Sequence, residues 1–425
     1  MEHKSYPRLG EELYTETLEN GLRLQVLPKP GFRSRYAVLA VNYGGVNRSF
    51  TLNGTRTDTP AGVAHYLEHK MFDLPEGDDG MERLSANGAD PNAFTAPGIT
   101  CYYFRCTENF EENLRLLLHF VSTPYFTEET VQKERGIIAQ EIREDQDSPD
   151  SAVYDTLLRQ LYAAHPLRDP VIGDLDSIRE ISARTLYACH RAFYVPGNMC
   201  LCVEGDVDVQ EIGRIARECL PAASAPLPET DYGPAEGPEP VEKLHRERMD
   251  VSAPLFLIGA KLCPGTLGRE ALRERLTASL ALRLLVGASS PFFNRLYAQG
   301  LLNRSFDASL DFSAGQGTLL LGGESRDPEA VLRALEEELE RVRREGLDPA
   351  AFRRAKRASL GSRLRGLEDF ESICIALAEG CFDGYCALDA TELLEQIRPE
   401  DCRNYLLNKL MPEYLALSIL DPRRS

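Results

Sequence analysis

Hydrophobic and polar positions alternate in short runs through the first part of the chain, and that period of two predicts strands. The stretch "YTETLENGLRLQVLPKP", from Tyr14, places two alternating runs around Asn20-Gly21, which is a hairpin signal. "SRYAVLAVNYGG", from Ser34, is a near-continuous apolar strand ending in two glycines, and "ITCYYFRCT", from Ile99, predicts another strand. The period then lengthens. Apolar residues at three- and four-residue spacing predict helices over 111–122, 128–144 and 151–164. "NMCLCVEGDV", from Asn198, reads as a strand that closes this half.

Composition shifts after that strand. "LPAASAPLPETDYGPAEGPEPVEK" places six prolines between Pro221 and Pro240, too many for a packed element, so an extended linker is expected there. Beyond it the order returns. "APLFLIGAKL" predicts a strand, "ALRERLTASLALRLLVG" a helix and "GTLLLGGES" a strand. A pair of helices follows over 328–367, and "EYLALSIL" predicts a final strand. "FTEETVQKERGIIAQEI", from Phe126, aligns with "LDPAAFRRAKRASLGSRL", from Leu347, so that Val131 meets Phe352 and Glu141 meets Ser362. The pattern predicts two homologous α+β halves: a first domain over 1–220, a linker over 221–243 and a second domain over 244–425.

Length and charge narrow the options. At 425 residues the chain is too long for one ordinary core. A net charge of −18 argues against nucleic acid and against an anionic membrane surface. It favours basic ligands only weakly. No uninterrupted apolar run of 18 residues occurs, so no transmembrane helix is expected. The polar start, "MEHKSYPRLGEELYTETLENG", has no signal-peptide core, which sets the cytoplasm as the expected location. The eleven cysteines contain no C-x-x-C. Several, including Cys101, Cys106, Cys200, Cys202 and Cys263, sit in apolar stretches and read as reduced, buried thiols.

One short stretch carries chemistry. In "GVAHYLEHKMF", His65 and His69 are four residues apart, so on a helix they share a face one turn apart. Glu68 lies beside that face. This is H-x-x-E-H, the inverted form of the H-E-x-x-H zinc motif. Two neutral imidazoles and a carboxylate can hold Zn²⁺ with one position left for water, and a glutamate outside the ligand set can take a proton. Spacing alone does not choose the third ligand. "VQKERGIIAQEIRED" offers Glu134 and Glu141, seven apart on one helix face, followed by Glu144 and Asp145. Glu141 is the more attractive because it ends the apolar run "GIIAQ", where a partly buried carboxylate needs a cation.

The chain resembles the M16 metallopeptidases (insulinase, pitrilysin and mitochondrial processing peptidase), most closely a bacterial two-domain YmfH-like subgroup. Four features carry the resemblance over nearly the whole length: "ETLENGLRLQVLPKP", "GVAHYLEHKMF", "NGADPNAFTAPGITCYYF" and "ERGIIAQEI". It implies two M16-type halves forming a clamshell, each a mixed, mainly antiparallel sheet with helices on one side. It implies one Zn²⁺ per chain on His65, His69 and Glu141, with Glu68 as the catalytic glutamate and Glu134 contributing to activity from behind the ligands. It also implies that "DPNAFT" is an edge strand to which a substrate peptide adds, with Asn92, Ala93 and Phe94 against it.

The second half departs from the family pattern. Members that act alone carry an arginine and a tyrosine in a pattern like R-G-L-x-Y. Anchored on Gly300 and Leu301, those positions here hold Gln299 and Asn303. Arg295, Tyr297 and Arg304 are near but out of register, and read as surface residues. The expectation is a zinc endopeptidase or processing peptidase for short or unfolded peptides. It would be the catalytic subunit of a heterodimer whose paralogous partner supplies the arginine and tyrosine, with a homodimer as the other arrangement. The competing expectation is a non-catalytic peptide-binding or assembly subunit.

Overall fold

The computed structural model describes residues 1–75, 77–262 and 266–423; Cys263 lies outside the described residues. Two compact units divide the chain, and each draws on both halves of the sequence. The first comprises Met1–Ile142, Pro170–Tyr232 and Leu364–Leu388; the second comprises Arg143–Asp169, Gly233–Arg363 and Asp389–Ser425.

The first unit is built on a seven-stranded sheet. Its spatial order is Glu2–Tyr6, Glu11–Thr17, Arg23–Pro28, Met199–Gly205, Arg35–Val41, Thr100–Cys106 and Ala89–Thr95. All neighbours are antiparallel except Arg23–Pro28 and Met199–Gly205. The hairpin signal at Asn20-Gly21 joins two paired strands, and Gly21 takes the positive φ of 91° that the turn requires. Strand Arg35–Val41 is continuously apolar because both of its faces are covered. Ala37, Leu39 and Val41 enter one core with the motif helix and helix Phe110–Ser122. Tyr36, Val38 and Ala40 enter a second core with Cys374, Leu377 and Ala378 of helix Phe370–Asp383.

The second unit carries a five-stranded sheet in the order Leu244–Met249, Ala416–Pro422, Leu255–Leu262, Gln316–Glu324 and Asp307–Ser313. Only its first pair is parallel. That order and those directions match the last five positions of the first sheet, so the repeat is a repeat of topology. Helix Pro149–Leu161 lies on strands Leu255–Leu262 and Ala416–Pro422, with Leu157 filling the space that Gly259 leaves. Each sheet thus takes one helix from the opposite half of the chain, at 149–161 and at 370–383. The compact units therefore depart from chain order at those two helices.

Two sequence expectations change. The proline-rich stretch is docked within each unit: Glu229–Thr230 pairs with Phe50 and Thr51, and Glu236 accepts the amides of Ala163, Ala164 and His165. Proline removes few ladder donors at an edge this short, and one carboxylate can satisfy three orphan amides. Second, an 18-residue window within 268–298 is long and apolar enough, by composition, to cross a bilayer. Here Leu272, Leu276, Leu280 and Leu285 of helix Gly268–Val286 are buried in the second unit, which is the behaviour of a core helix.

Candidate metal centre

The H-x-x-E-H stretch forms helix Val63–Lys70. Gly62 caps its start at φ 87°, and a Cβ there would stand 2.5 Å from the Ile172 carbonyl oxygen. Only glycine satisfies both the left-handed backbone and that close approach. Tyr66 and Leu67 are buried in the first core, and the Tyr66 hydroxyl donates to the Val131 carbonyl. This contact ties the motif helix to helix Glu128–Asp147, which carries Glu134 and Glu141. Val131 and Ile138 of that helix are buried, and the seven-residue spacing puts both glutamates on one face.

Three donors converge. Glu141 Oε2 lies 3.9 Å from His65 Nε2 and 3.7 Å from His69 Nε2. The donor atoms of His65, His69 and Glu141 all fall within 4.8 Å of one another. Behind them, Glu134 Oε1 sits 3.0 Å from His69 Nδ1. A proton held on Nδ1 by that carboxylate leaves the Nε2 lone pair directed at Glu141, which is the arrangement a ligating histidine needs. Burial, and then the charge of His69, pushes His65 down to about 3, so its imidazole is neutral at ordinary pH. Burial also pulls His69 down, but the Glu134 hydrogen bond and the charges of Glu141 and Glu68 outweigh it, and the net shift is upward. Burial raises Glu134, and its bond to His69 with the charges of His69 and Lys70 brings it below the ordinary carboxylate range. Two imidazoles and one carboxylate so disposed fit Zn²⁺ by number and by donor type. His65 Nδ1 is buried without a partner among the described residues.

Glu68 is not part of that set. It is 7% exposed, and its Oε2 accepts a 2.6 Å hydrogen bond from Thr95 Oγ1. Burial holds its carboxyl above the usual range, with Thr95 and His69 pulling the other way. Thr95 ends the strand Ala89–Thr95, which occupies the free edge of the first sheet. The register fixes what that edge presents. Asn92 pairs with Tyr103 and Phe94 with Cys101, so these point to the face covered by helix Phe370–Asp383. Ala93 and Thr95 pair with Tyr102 and Thr100 and point to the motif helix. The Ala93 amide donates to Asn92 Oδ1 at 2.8 Å. "DPNAFT" is thus an edge strand, with Asn92, Ala93 and Phe94 all on it.

Thr95 and Gly62 carry functional geometry that sequence reasoning did not single out. Thr95 has no motif signal, because its partner Glu68 is distant in sequence. Gly62 had one, a glycine just before a helix. In the second unit, helix Pro291–Ala298 ends at Gln299, and Asn303 is committed to a local turn. Its Oδ1 accepts from the Ser305 amide at 2.7 Å, and its Nδ2 donates to Glu324 at 3.0 Å. Arg295 and Tyr297 are exposed, as expected of surface residues.

Comparison with known proteins points the same way. The model described as "Insulinase (Peptidase family M16)" matches residues 52–175, and "Peptidase M16 inactive domain" matches 180–359. The chain is 35% identical to an uncharacterized zinc protease of Bacillus subtilis, YmfH, over 98% of each protein. It is 32% identical in sequence to an M16-like peptidase from Alicyclobacillus acidocaldarius, whose crystal structure it matches with a TM-score of 0.94 over 99% of this chain and 100% of that one. A protease from Helicobacter pylori shares the fold at 19% identity, with a TM-score of 0.80 over 97% of this chain and 100% of that one.

Proposed function

This chain belongs to the M16 (insulinase) peptidase family, and from that premise we propose that it is a zinc-dependent endopeptidase acting on short or unfolded peptides. One observation carries the proposal. The nitrogen and oxygen donors of His65, His69 and Glu141 converge beside a separate, buried Glu68 that is hydrogen bonded to the end of a free sheet edge. His65, His69 and Glu141 would hold the ion, and Zn²⁺ in such a site supplies Lewis acidity toward a carbonyl and toward water.

The chain's own residues do the rest. A peptide laid along Ala89–Thr95 extends the sheet by one strand and exchanges main-chain hydrogen bonds with it. Thr95 occupies Glu68 Oε2, which leaves Oε1 to accept a proton from the attacking water and to pass it to the leaving amine. Burial above the usual carboxylate range favours that return of the proton. Glu134 holds the His69 ring in the tautomer that keeps Nε2 free.

The proposal includes a partner. Gln299 lacks a charge and Asn303 lacks a phenol, and Asn303 is already used by Ser305 and Glu324. Stabilisation of the reacting carbonyl would then come from a paralogous chain, which makes this one the catalytic subunit of a heterodimer. The test is bound zinc per chain together with cleavage of a quenched peptide library, with and without a paralogue carrying R-G-L-x-Y. One zinc, and cleavage abolished by Glu68→Gln, are expected. Full cleavage by Glu68→Gln would sink the mechanism, and stoichiometric zinc in Glu141→Ala would sink the ligand assignment.

A further inference from the structure

Helix Glu128–Asp147 carries both Glu134 and Glu141, yet the core holds it lightly. Of its 20 residues, the fully buried ones are Val131, Ile138 and Ile142. At about 100° per residue these form one narrow stripe, with Glu134 and Glu141 on one flank and Arg135 on the other. Apolar contact is non-directional, so it fixes how near the helix lies and leaves its rotation weakly set. A turn of about 10° carries a carboxylate at a radius of about 6 Å through about 1 Å. A metal–ligand distance tolerates about 0.2 Å. Rotation of this helix therefore decides whether its carboxylates meet the two imidazoles.

Two directional bonds set that rotation. The Tyr66 hydroxyl, from the motif helix, donates to the Val131 carbonyl. Arg135 Nη2 donates to the Ile181 carbonyl at 2.8 Å. Ile181 is 1% exposed and shares the first core with Tyr66, Val131 and Ile138. It lies between the turn Ser177–Glu180 and Ser182, the N-cap of helix Ala183–Phe193, so its carbonyl is a fixed anchor. Arg135 is half-buried and makes no ion pair among the described residues, and its Nε is buried without an acceptor there. Burying a donor in that way costs free energy, and the bond to Ile181 is what the side chain supplies in this place. We infer that Arg135 is a positioning residue of the metal centre. Together with Tyr66 it locks the rotation of helix Glu128–Asp147, so that Glu141 meets both imidazoles and Glu134 meets His69. The inference rests on the reading of His65, His69 and Glu141 as metal ligands, and it adds a residue from outside that set.

The test is zinc affinity by chelator competition, together with urea unfolding of the zinc-free and zinc-loaded protein, in Arg135→Met, Arg135→Lys and Tyr66→Phe. Arg135→Met keeps an unbranched stem and loses every donor. Its zinc dissociation constant should rise about tenfold, so that at fixed free zinc the added stability from zinc shrinks by about 1.4 kcal/mol. Arg135→Lys keeps a donor for the Ile181 carbonyl and should recover most of the affinity. Tyr66→Phe should weaken zinc by about threefold. An arginine with a merely structural role would lower the stability of both forms equally and leave the dissociation constant unchanged, and that result overturns the inference. Equal losses in the methionine and lysine variants overturn it too. Should Arg135→Met not fold, weaker zinc binding by Tyr66→Phe upholds the inference and unchanged binding overturns it. If the native protein takes up no zinc, the peptidase proposal falls and amide exchange decides on the lock by itself. Faster exchange over residues 136–142 in Arg135→Met, with strand Arg35–Val41 unchanged, upholds it; unchanged exchange over 136–142 overturns it.

Discussion

Replacing Thr95 by valine keeps the shape of the side chain and removes one hydroxyl. That hydroxyl donates to Glu68 Oε2 at 2.6 Å, and it sits 3.4 Å from Thr100 Oγ1, whose own proton goes to the Tyr43 carbonyl. The chain of partners leaves the Thr95 proton directed at Glu68. Glu68 is 7% exposed, so water replaces the lost bond poorly. A hydrogen bond to a charged group contributes about 1.5–3 kcal/mol. Without it, the ionised carboxylate is relieved by protonation or by turning away, and either outcome removes the competent base. At about 1.4 kcal/mol per decade, the population of oriented, ionised Glu68 falls roughly ten- to hundredfold. Steady-state kcat/KM of Thr95→Val on a quenched peptide at neutral pH should fall by that factor. Zinc content should not change, because Thr95 touches none of His65, His69 and Glu141. Thr95→Ser, which keeps the hydroxyl, should retain most of the activity. Activity within about twofold of native for Thr95→Val, or equal losses in the serine and valine variants, would refute the assignment of Thr95 as the residue that positions Glu68.

Three further outcomes are expected. Glu134→Ala should weaken zinc binding by about 10–100-fold in a chelator competition, whereas Glu134→Gln, which keeps an acceptor for His69 Nδ1, should lose much less. Gly62→Ala imposes a left-handed alanine costing about 1–2 kcal/mol, with its Cβ against the Ile172 carbonyl; urea unfolding should show the loss, together with reduced bound zinc. Glu204 is buried in the first sheet, and burial raises it from 4.5 to about 7 although Lys29 pulls it back. A raised carboxyl contributes stability below its unfolded value and loses it as pH rises through the folded one. Between pH 5 and 8 the native protein should therefore lose on the order of 1–3 kcal/mol more than Glu204→Gln, read from paired urea titrations.

The elements were legible where one side chain pattern served one environment. Strand Arg35–Val41 and helix Phe110–Ser122 bury their apolar positions within one unit, so their periods were readable directly. Strand Leu244–Met249 was not visible, because it is an edge strand with "LHRERM" largely exposed and its identity comes from pairing with Ala416–Pro422. Helix Phe370–Asp383 was equally hidden, since "FESICIALAEGCFD" packs on a sheet made by residues far earlier in the chain. In the site, H-x-x-E-H stood out through local spacing, and Glu141 was one of two candidates on its helix.

From its sequence alone the protein was bound to have two similar α+β halves, a helix presenting His65 and His69 on one side, and a zinc motif present in only one copy, with Ser362 aligned to Glu141 in the other. Those features follow from spacings of a few residues, which helix and strand geometry converts into shared faces. Other features were decided by the tertiary structure: Glu141 closing on both imidazoles, Glu134 behind His69, and Thr95 on Glu68. Each of these joins residues separated by tens of positions. No local period specifies such a contact; only the strand register and the packing of the cores bring the partners together.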